Sequence, residues 1–340
     1  MSGVNNRKWM AAVLAVAMIF FAGSCSSTAK EAGDNTKPGD APVFATLAGG
    51  SPTGMLFMVC TGVSESVARS YPGSVVTIVP GSLTANAIRV NNGEVDACMA
   101  NSALLYAASE GDSPYDKKLD NLAAVSNIFS GIFQIVVDKQ TGITTFEEIV
   151  GKKLKVRLSF DQQGSATAVT IERLFAEYGV TREDFEAWGG TIVQKGQEDS
   201  AAMLSDGFID GYAVQTLCPA RAIQESAAAR DIVLLELDPA VVSGMIEKYG
   251  YFPYTIPAGS YDFVTKDCPS LCANVVLTVP ADAPDDLAYK LARSLVENID
   301  YMREIHAGLK GLTPEGMASE TGVPLHPGAM KYYKEIGVIE

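Results

Sequence analysis

Four short loops of the chain carry small polar residues of the kind that bind anions. They are Gly49–Gly54, Gly81-Ser82 with Asn86 four residues on, Asn101-Ser102, and Gly164–Thr167. Each is predicted to follow a β-strand and to precede a helix directly. The first N–H groups of a helix lack intrahelical partners and the helix dipole is positive there, so these loops suit a carboxylate. For any one loop an N-cap role is the simpler explanation, but four equivalent loops favour a ligand site.

Two arginines lie near these loops. Arg157 is in the strand that leads to the Gly164 loop, and Arg221 follows Pro219. Either guanidinium can clamp a carboxylate through two parallel hydrogen bonds, and either can equally face solvent. The nearby acids are interpreted as loop acids rather than general bases: Asp161, Glu198 and Asp199.

The elements that must position these residues form two blocks of similar pattern. In the first, the predicted strands are Val43–Leu47, Val75–Val79 and Val95–Ala100, and the predicted helices are Gly62–Tyr71, Thr84–Asn91 and one from Ser102. In the second, which follows an apolar run at Ile132–Val137, the strands are Leu154–Leu158, Gly211–Val214 and Ile232–Leu237, and the helices are Thr167–Tyr178, with Gly179 as its cap, and Ala220–Ala229. An amphipathic helix, Asp285–His306, is predicted near the end of the chain. Val- and Ile-rich strands without polar alternation indicate a sheet covered on both faces, so the fold class is α/β with two lobes.

The N-terminus has the pattern of an export signal. Arg7 and Lys8 precede Trp9–Ala22, an uncharged run too short to cross a bilayer comfortably. The sequence Ala22-Gly23-Ser24-Cys25 resembles the lipobox of bacterial lipoproteins, which implies removal of residues 1–24 and acylation of Cys25. An ordinary signal peptide is the alternative. Residues 25–41 are predicted to be a lipidated cysteine and a flexible tether, because they contain almost no large apolar side chain.

Composition narrows the class of function. The net charge of −14 argues against a nucleic-acid partner, which needs clustered Lys and Arg.

Five cysteines remain beside Cys25, and an odd number cannot all pair with one another. Cys60 and Cys98 are predicted to be buried. The sequence leaves open whether Cys268 and Cys272 form a disulfide or stay as two thiols.

An exported hydrolase or thiol enzyme is the alternative from another class. The sequence has no G-x-S-x-G or H-E-x-x-H motif, and the Gly49–Gly54 loop lacks the residues of a P-loop. The two histidines, His306 and His326, lie late in the chain and away from Cys268 and Cys272. We therefore predict no catalytic residue, no metal site and no cofactor.

From about Ala45 onward the chain resembles the TAXI solute-binding subunits of TRAP transporters. The resemblance lies in the order and spacing of several short motifs. These are Gly50-Ser51-Pro52-Thr53-Gly54 with Phe57, Gly81-Ser82 with Asn86, Gly93-Glu94-Val95-Asp96, Asn101-Ser102, Gly164-Ser165-Ala166-Thr167, Asp210-Gly211-Tyr212 leading to Pro219, Thr255-Ile256-Pro257-Ala258-Gly259, and Pro324-Leu325-His326-Pro327-Gly328-Ala329 with Tyr332-Tyr333.

The resemblance implies a type II periplasmic-binding-protein fold, in which two α/β lobes joined by hinge strands close over a ligand. Lobe I is expected at 42–133 plus 270–340 and lobe II at 134–269. The implied ligands are glutamate, glutamine or small dicarboxylates including keto acids, and the implied partner is a TRAP-type membrane permease. The residues carried over as ligand-binding are Gly50, Thr53, Phe57, Ser82, Asn86, Asn101, Ser102, Ser165 and Thr167, and Arg157 is added from its position.

Departures from the family pattern bear on the ligand. The position after Ser102, which often carries Asp, is Ala103, so a natural partner for a ligand amino group is missing. This favours a dicarboxylate over an amino acid. The protein is expected outside the cytoplasm, held to a membrane through Cys25. A ligand-sensing lipoprotein that signals to a membrane receptor would use the same binding chemistry and stays open.

Overall fold

The computed structural model describes residues 41–52, 54–319 and 321–340, which belong to one unit. The predicted signal peptide, Cys25, most of the predicted tether and Thr53 lie outside the described residues. The strands are β1 (Phe44–Ala48), β2 (Val75–Val79), β3 (Ala97–Asn101), β4 (Ala123–Asp138), β5 (Arg157–Ser159), β6 (Thr191–Val193), β7 (Gly211–Thr216), β8 (Ile232–Leu234), β9 (Phe252–Ile256) and β10 (Cys268–Val279).

The helices between these strands are mostly short. They are α1 (Met55–Ser70), α2 (Leu83–Asn91), α3 (Ser102–Glu110), α4 (Phe146–Gly151), α5 (Ala166–Glu177), α6 (Arg182–Ala187), α7 (Gln197–Ser205), α8 (Arg221–Ala229), α9 (Pro239–Tyr249), α10 (Asp285–Glu297), α11 (Ile299–Ile305), α12 (Pro314–Met317) and α13 (Pro327–Glu335). No helix in the described part of the chain is both long and apolar enough to span a membrane.

The strands form one continuous mixed sheet in the order β2-β1-β3-β10-β4-β7-β5-β6, with β8 added to β4 and β9 added to β10. The strands β2, β1 and β3 are parallel, and so are β7, β5 and β6. We call the half of the sheet that contains β2, β1 and β3, with the helices packed on it, lobe I. The half that contains β7, β5 and β6 is lobe II. The long antiparallel strands β4 and β10 pass from one half to the other.

Interior strands of the sheet are buried on both faces, whereas the Val- and Ile-rich edge strand β2 exposes Val75 and Thr77. All five residues of β3 are buried, and so are the first four of β7. In lobe I, one face packs on α1, α10 and α13 and the other on α2 and α3. Because parallel strands end at the same edge of a sheet, the loops after β1, β2 and β3 meet at one edge of lobe I. The loops after β5, β6 and β7 meet at one edge of lobe II.

The prediction of one helix over Asp285–His306 was wrong. The segment is two helices, α10 and α11, with Asn298 between them. The Asn298 side-chain amide donates to the carbonyl of Ser294, 2.9 Å away, and also to Ser66 O and Ser70 Oγ of α1 at 3.2 and 3.0 Å. These contacts hold Asn298 at φ −110° and ψ 26°, outside regular helix geometry, so a tertiary contact interrupts a segment whose apolar pattern continues.

None of the five cysteines in the described residues forms a disulfide bond. Cys268 and Cys272 lie four residues apart on β10, which places them about 13 Å apart along the strand, beyond the reach of a disulfide. Cys60 and Cys98 are fully buried, as predicted. Burial raises the pKa of the Cys60 thiol to about 12 and also raises the pKa of Cys98.

Candidate functional site

Asn86 holds the end of β1 against β3 in lobe I. Its side chain is fully buried, and its amide nitrogen donates to the carbonyls of Gly49 and Met99, both 2.9 Å away, and of Ala48 at 3.3 Å. The amide oxygen lies against Gly81, where an added Cβ would come within 2.0 Å of it. Asn86 and Gly81 thus shape the loops after β1 and β2 as a matched pair.

Three predicted ligand residues are N-caps. Ser82 Oγ accepts from Ala85 N at 3.3 Å, Asn101 Oδ1 accepts from Ala103 N at 3.0 Å and Leu104 N at 3.3 Å, and Ser165 Oγ accepts from Ala168 N at 3.1 Å. The starts of α2, α3 and α5 are therefore partly satisfied by the chain itself.

Two further predicted residues bind the backbone of neighbouring strands. Ser102 Oγ accepts from Asn274 N of β10, and Thr167 Oγ1 accepts from Gln215 N of β7, both at 3.0 Å. Both side chains are buried. Each hydroxyl therefore fixes the backbone of a neighbouring strand, and the Ser102 hydroxyl keeps a proton to donate.

The start of α1 differs from the starts of α2 and α3, which are capped by Ser82 and Asn101. Its N-cap is Gly54, and no side chain caps it. Gly50 is buried beside Leu56, and its carbonyl accepts a long hydrogen bond of 3.4 Å from Gly81 N. Phe57 is half-buried in the first turn. The first N–H groups of α1 are thus the ones best placed to receive an anion from outside the chain.

An acid occupies the corresponding position in lobe II. Asp161 follows β5 in the left-handed conformation, at φ 63°, and its Oδ1 accepts from Gln162 N at 2.7 Å. Burial raises the pKa of Asp161, and the hydrogen bonds from Gln162 N and from the Thr167 and Ser165 side chains only partly offset this. The start of α5 therefore already holds a carboxylate that belongs to the protein.

The loops of the two lobes meet. Thr84 Oγ1, in the first turn of α2, donates to the carbonyl of Gly164 at 2.9 Å. Beside this contact, Ala166 and Val169 of α5 pack into the lobe I core that contains Leu104 and Leu105. The structure thus brings the predicted residues Ser82 and Ser165 to the same junction between lobes.

Arg157 does not lie at the junction between the lobes. It starts β5, at the opposite end from the Gly164 loop, and its guanidinium pairs with Asp210 at 2.6 and 3.1 Å and donates to Gly207 O at 3.0 Å. Burial alone would raise the pKa of Asp210, but the hydrogen bonds and charge of Arg157 lower it overall. Arg221 is 86% exposed and pairs with Glu225. Arg157, paired with Asp210 at the far end of β5, is therefore not placed to clamp a ligand at the strand-end loops.

Sequence reasoning missed Thr84, which joins the lobes, and Gln215, which binds α5 and β4, and it interpreted Asp161 only as a loop acid. Gln215 Nε2 donates to Gly131 O of β4, and its Oε1 accepts from Thr170 Oγ1 at 2.8 Å. The sequence did contain an indication for Asp161, because this acid lies between a strand and the Gly164-Ser165 start of a helix. No local signal marks Thr84 or Gln215, because their partners lie 80 and 45 residues away.

A separate cavity of about 320 Å³ lies in lobe II, beside β8. Lys139, Arg230, Lys266 and Cys268 contribute to its wall. None of the candidate loop residues lines it. Arg230 pairs with Asp138 at 2.7 Å, and Lys266 pairs with Glu236.

Solved structures share this architecture. The periplasmic binding protein BugD is 14% identical, with a TM-score of 0.51, over 88% of this chain and 98% of its own. PhnD1 from Prochlorococcus marinus, solved in complex with methylphosphonate, is 12% identical, with a TM-score of 0.51, over 88% of this chain and 100% of its own. The likeness confirms the predicted fold class, the two-lobed α/β fold of periplasmic binding proteins.

The family follows from the sequence itself. A model of the NMT1-like family matches residues 47–337, which is most of the chain, and the chain belongs to that family.

Proposed function

We propose that this protein is an exported lipoprotein that binds a small carboxylate between its two lobes and delivers it to a TRAP-type permease. The observation that carries the proposal is the junction at Thr84 and Gly164, where strand-end loops of the two lobes face each other. In open α/β sheets, ligands bind outside the carboxyl ends of the strands. Membership of the NMT1-like family and the periplasmic-binding-protein fold support the same class of function.

The uncapped start of α1 supports an anionic ligand. Gly54 N and Phe57 N donate to carbonyls of the chain, so the N–H groups of Met55 and Leu56, together with the helix dipole, are proposed to receive one carboxylate, with Phe57 beside the carbon chain. Gly50 permits close approach of the backbone there. Thr53 is proposed to line the same wall from its position in the sequence.

The distribution of charge guides the choice among carboxylates. Ala103 is buried and offers no partner for an amino group, which favours dicarboxylates and keto acids. Asp161 places a carboxylate in lobe II, where it can accept a hydrogen bond from a ligand N–H or O–H group. Ligands with a donor group, such as glutamate, glutamine and hydroxy acids, therefore belong in the same test.

The test is thermal unfolding with succinate, malate, 2-oxoglutarate, glutamate, glutamine and methylphosphonate. A ligand at about 100 times its dissociation constant stabilises the folded state by roughly 2.7 kcal/mol, which raises the Tm by several degrees. A rise with one or two carboxylates supports the proposal. A rise with methylphosphonate alone would replace the carboxylate by a phosphonate, and a well-folded protein that responds to none would contradict this ligand class.

The anchor and the transport partner are tested separately. Replacing Cys25 by Ser should move the protein from the membrane fraction to the soluble exported fraction. Co-purification of a TRAP-type permease supports delivery for transport, whereas a membrane receptor in its place would support ligand sensing. A thiol enzyme finds little support, because burial raises the pKa of both Cys60 and Cys98 and so disfavours their thiolate forms.

A further inference from the structure

Arg173 is a charged side chain buried where the two lobes meet. It lies on α5 of lobe II and is 7% exposed. One of its N–H groups donates to the carbonyl of Ser113, on the loop between α3 and β4 in lobe I, at 3.1 Å. Two residues further on, the Tyr115 hydroxyl donates to the Thr84 carbonyl at 3.4 Å. The loop that Arg173 contacts therefore also contacts Thr84, the residue that binds Gly164 at the junction between the lobes.

No carboxylate neutralises this guanidinium. Among the ion pairs of the described residues none includes Arg173, and Glu177, one turn further along α5, is held by Lys248 at 2.9 Å. The guanidinium instead lies 4.9 Å from the ring centroid of Tyr249 and 5.7 Å from that of Tyr251, and it donates to the Tyr251 hydroxyl at 3.3 Å. These tyrosines belong to lobe II and stay with Arg173 when the lobes separate.

Closure therefore changes the surroundings of Arg173 unfavourably. When the lobes separate, water can solvate the guanidinium while its tyrosine contacts persist. When they close, that hydration is lost and a single hydrogen bond to a neutral carbonyl replaces it. Removing a charge from water without placing an opposite charge beside it costs free energy.

We infer that Arg173 opposes closure of the unliganded protein, so that the lobes close fully only when a ligand supplies the free energy. The inference rests on the proposed function, because it needs lobes that close over a ligand. It assigns Arg173 a role in setting the open and closed populations and no contact with the ligand.

The test is hydrogen exchange measured by mass spectrometry on the full chain without any ligand. The variants are Arg173→Met, which keeps most of the length and removes the charge, and Arg173→Lys, which keeps the charge. Arg182→Met on the lobe II surface is the matched control. In Arg173→Met, amides of segments 82–86 and 164–169 should exchange at least about fivefold more slowly than in wild type, because the closed population rises. Arg173→Lys and Arg182→Met should stay close to wild type.

Equal or faster exchange in Arg173→Met, with β4 and β10 still protected, would overturn the inference, and so would equally slow exchange in Arg173→Lys. If Arg173→Met loses protection from exchange throughout the sheet, the variant is no longer properly folded, and the Tyr251→Phe variant then tests the inference. Loss of this hydroxyl leaves the buried guanidinium poorer in partners, so exchange at the junction should become faster, and unchanged or slower exchange would overturn the inference. Because no ligand is used, failure of the carboxylate panel and failure of this test are separate results.

Discussion

Thr84 Oγ1 donates a hydrogen bond to the carbonyl oxygen of Gly164, 2.9 Å away, and so joins the start of α2 in lobe I to the candidate loop of lobe II. The bond links residues 80 positions apart and can form only when the lobes are together. It is one of several contacts between the lobes, beside the packing of Ala166 and Val169 and the hydrogen bond from Arg173 to Ser113 O, so the proposed ligand site predicts that this hydroxyl contributes to affinity.

Replacing Thr84 by Val should weaken binding of the tightest ligand of the panel. Loss of one such hydrogen bond costs about 0.5–1.5 kcal/mol, so the Kd should rise roughly 2- to 12-fold by isothermal titration. Thr61→Val is the control, because that hydroxyl donates within α1, to Phe57 O at 3.1 Å. Equal effects of the two substitutions would argue against a role for the junction in closure.

Replacing Gly81 by Ala should destabilise the protein. The new Cβ would lie 2.0 Å from the Asn86 amide oxygen, and Asn86 cannot move without losing its three carbonyl partners. We expect a loss of about 1–3 kcal/mol in urea unfolding. Gly151→Ala in α4 is the matched control: nothing lies within 4 Å of its added Cβ, so stability should be unchanged or slightly higher. A stable Gly81→Ala variant would show that this loop is not fixed by Asn86.

Replacing Asp161 by Asn should raise stability at neutral pH. Burial raises the pKa of Asp161, so the folded state favours the neutral acid. Stability from this group is then present below its unfolded pKa of about 3.9 and is lost as the pH rises through the folded pKa. The urea midpoint of Asp161→Asn should exceed that of wild type at pH 7, and the gap should narrow at pH 4. A lower midpoint at pH 7 would mean that the charged form is the one stabilised by its neighbours.

Replacing Arg157 by Ala should reduce stability without changing affinity for the ligand. Arg157 lowers the pKa of Asp210, so this pair stabilises the fold above the unfolded pKa of Asp210, about 3.9, and the contribution is lost as the pH falls below that value. Because the Arg157 side chain is 46% exposed, the loss at pH 7 should be about 1 kcal/mol or less. A Kd that rises tenfold or more would place Arg157 back in the site.

Local patterns were sufficient to predict the fold class. The strand Val75–Val79 was predicted with its observed bounds, and Gly179 takes the positive φ, 66°, that the end of α5 requires. Both features follow from neighbouring residues in the chain. The start of α1 was predicted seven residues too late, because Met55–Cys60 directly follows a Gly-rich loop and only Met55, Leu56 and Met58 in it are good helix formers.

The register of the sheet and the contacts of the candidate site depend on residues that are far apart in the sequence. The strand β10 pairs with β3, β4 and β9, yet its sequence from Cys268 to Val279 gives no register. Apart from Arg157, the predicted site residues in the described part of the chain lie at a strand end, in the loop that follows or in the next helix, but Asn86 and Asn101 bind the backbone. Whether an Asn caps a helix, supports a loop or meets a ligand depends on where the neighbouring strand ends, which the local sequence does not encode.

The central claim is that a small solute binds between the lobes at the strand ends. The most direct measurement is hydrogen exchange with and without a saturating amount of the best ligand of the panel. We predict that protection will be concentrated in segments 54–58, 81–86 and 160–167. Protection confined to the cavity beside β8, at residues 230–236 and 263–268, or no protection despite binding, would contradict the account.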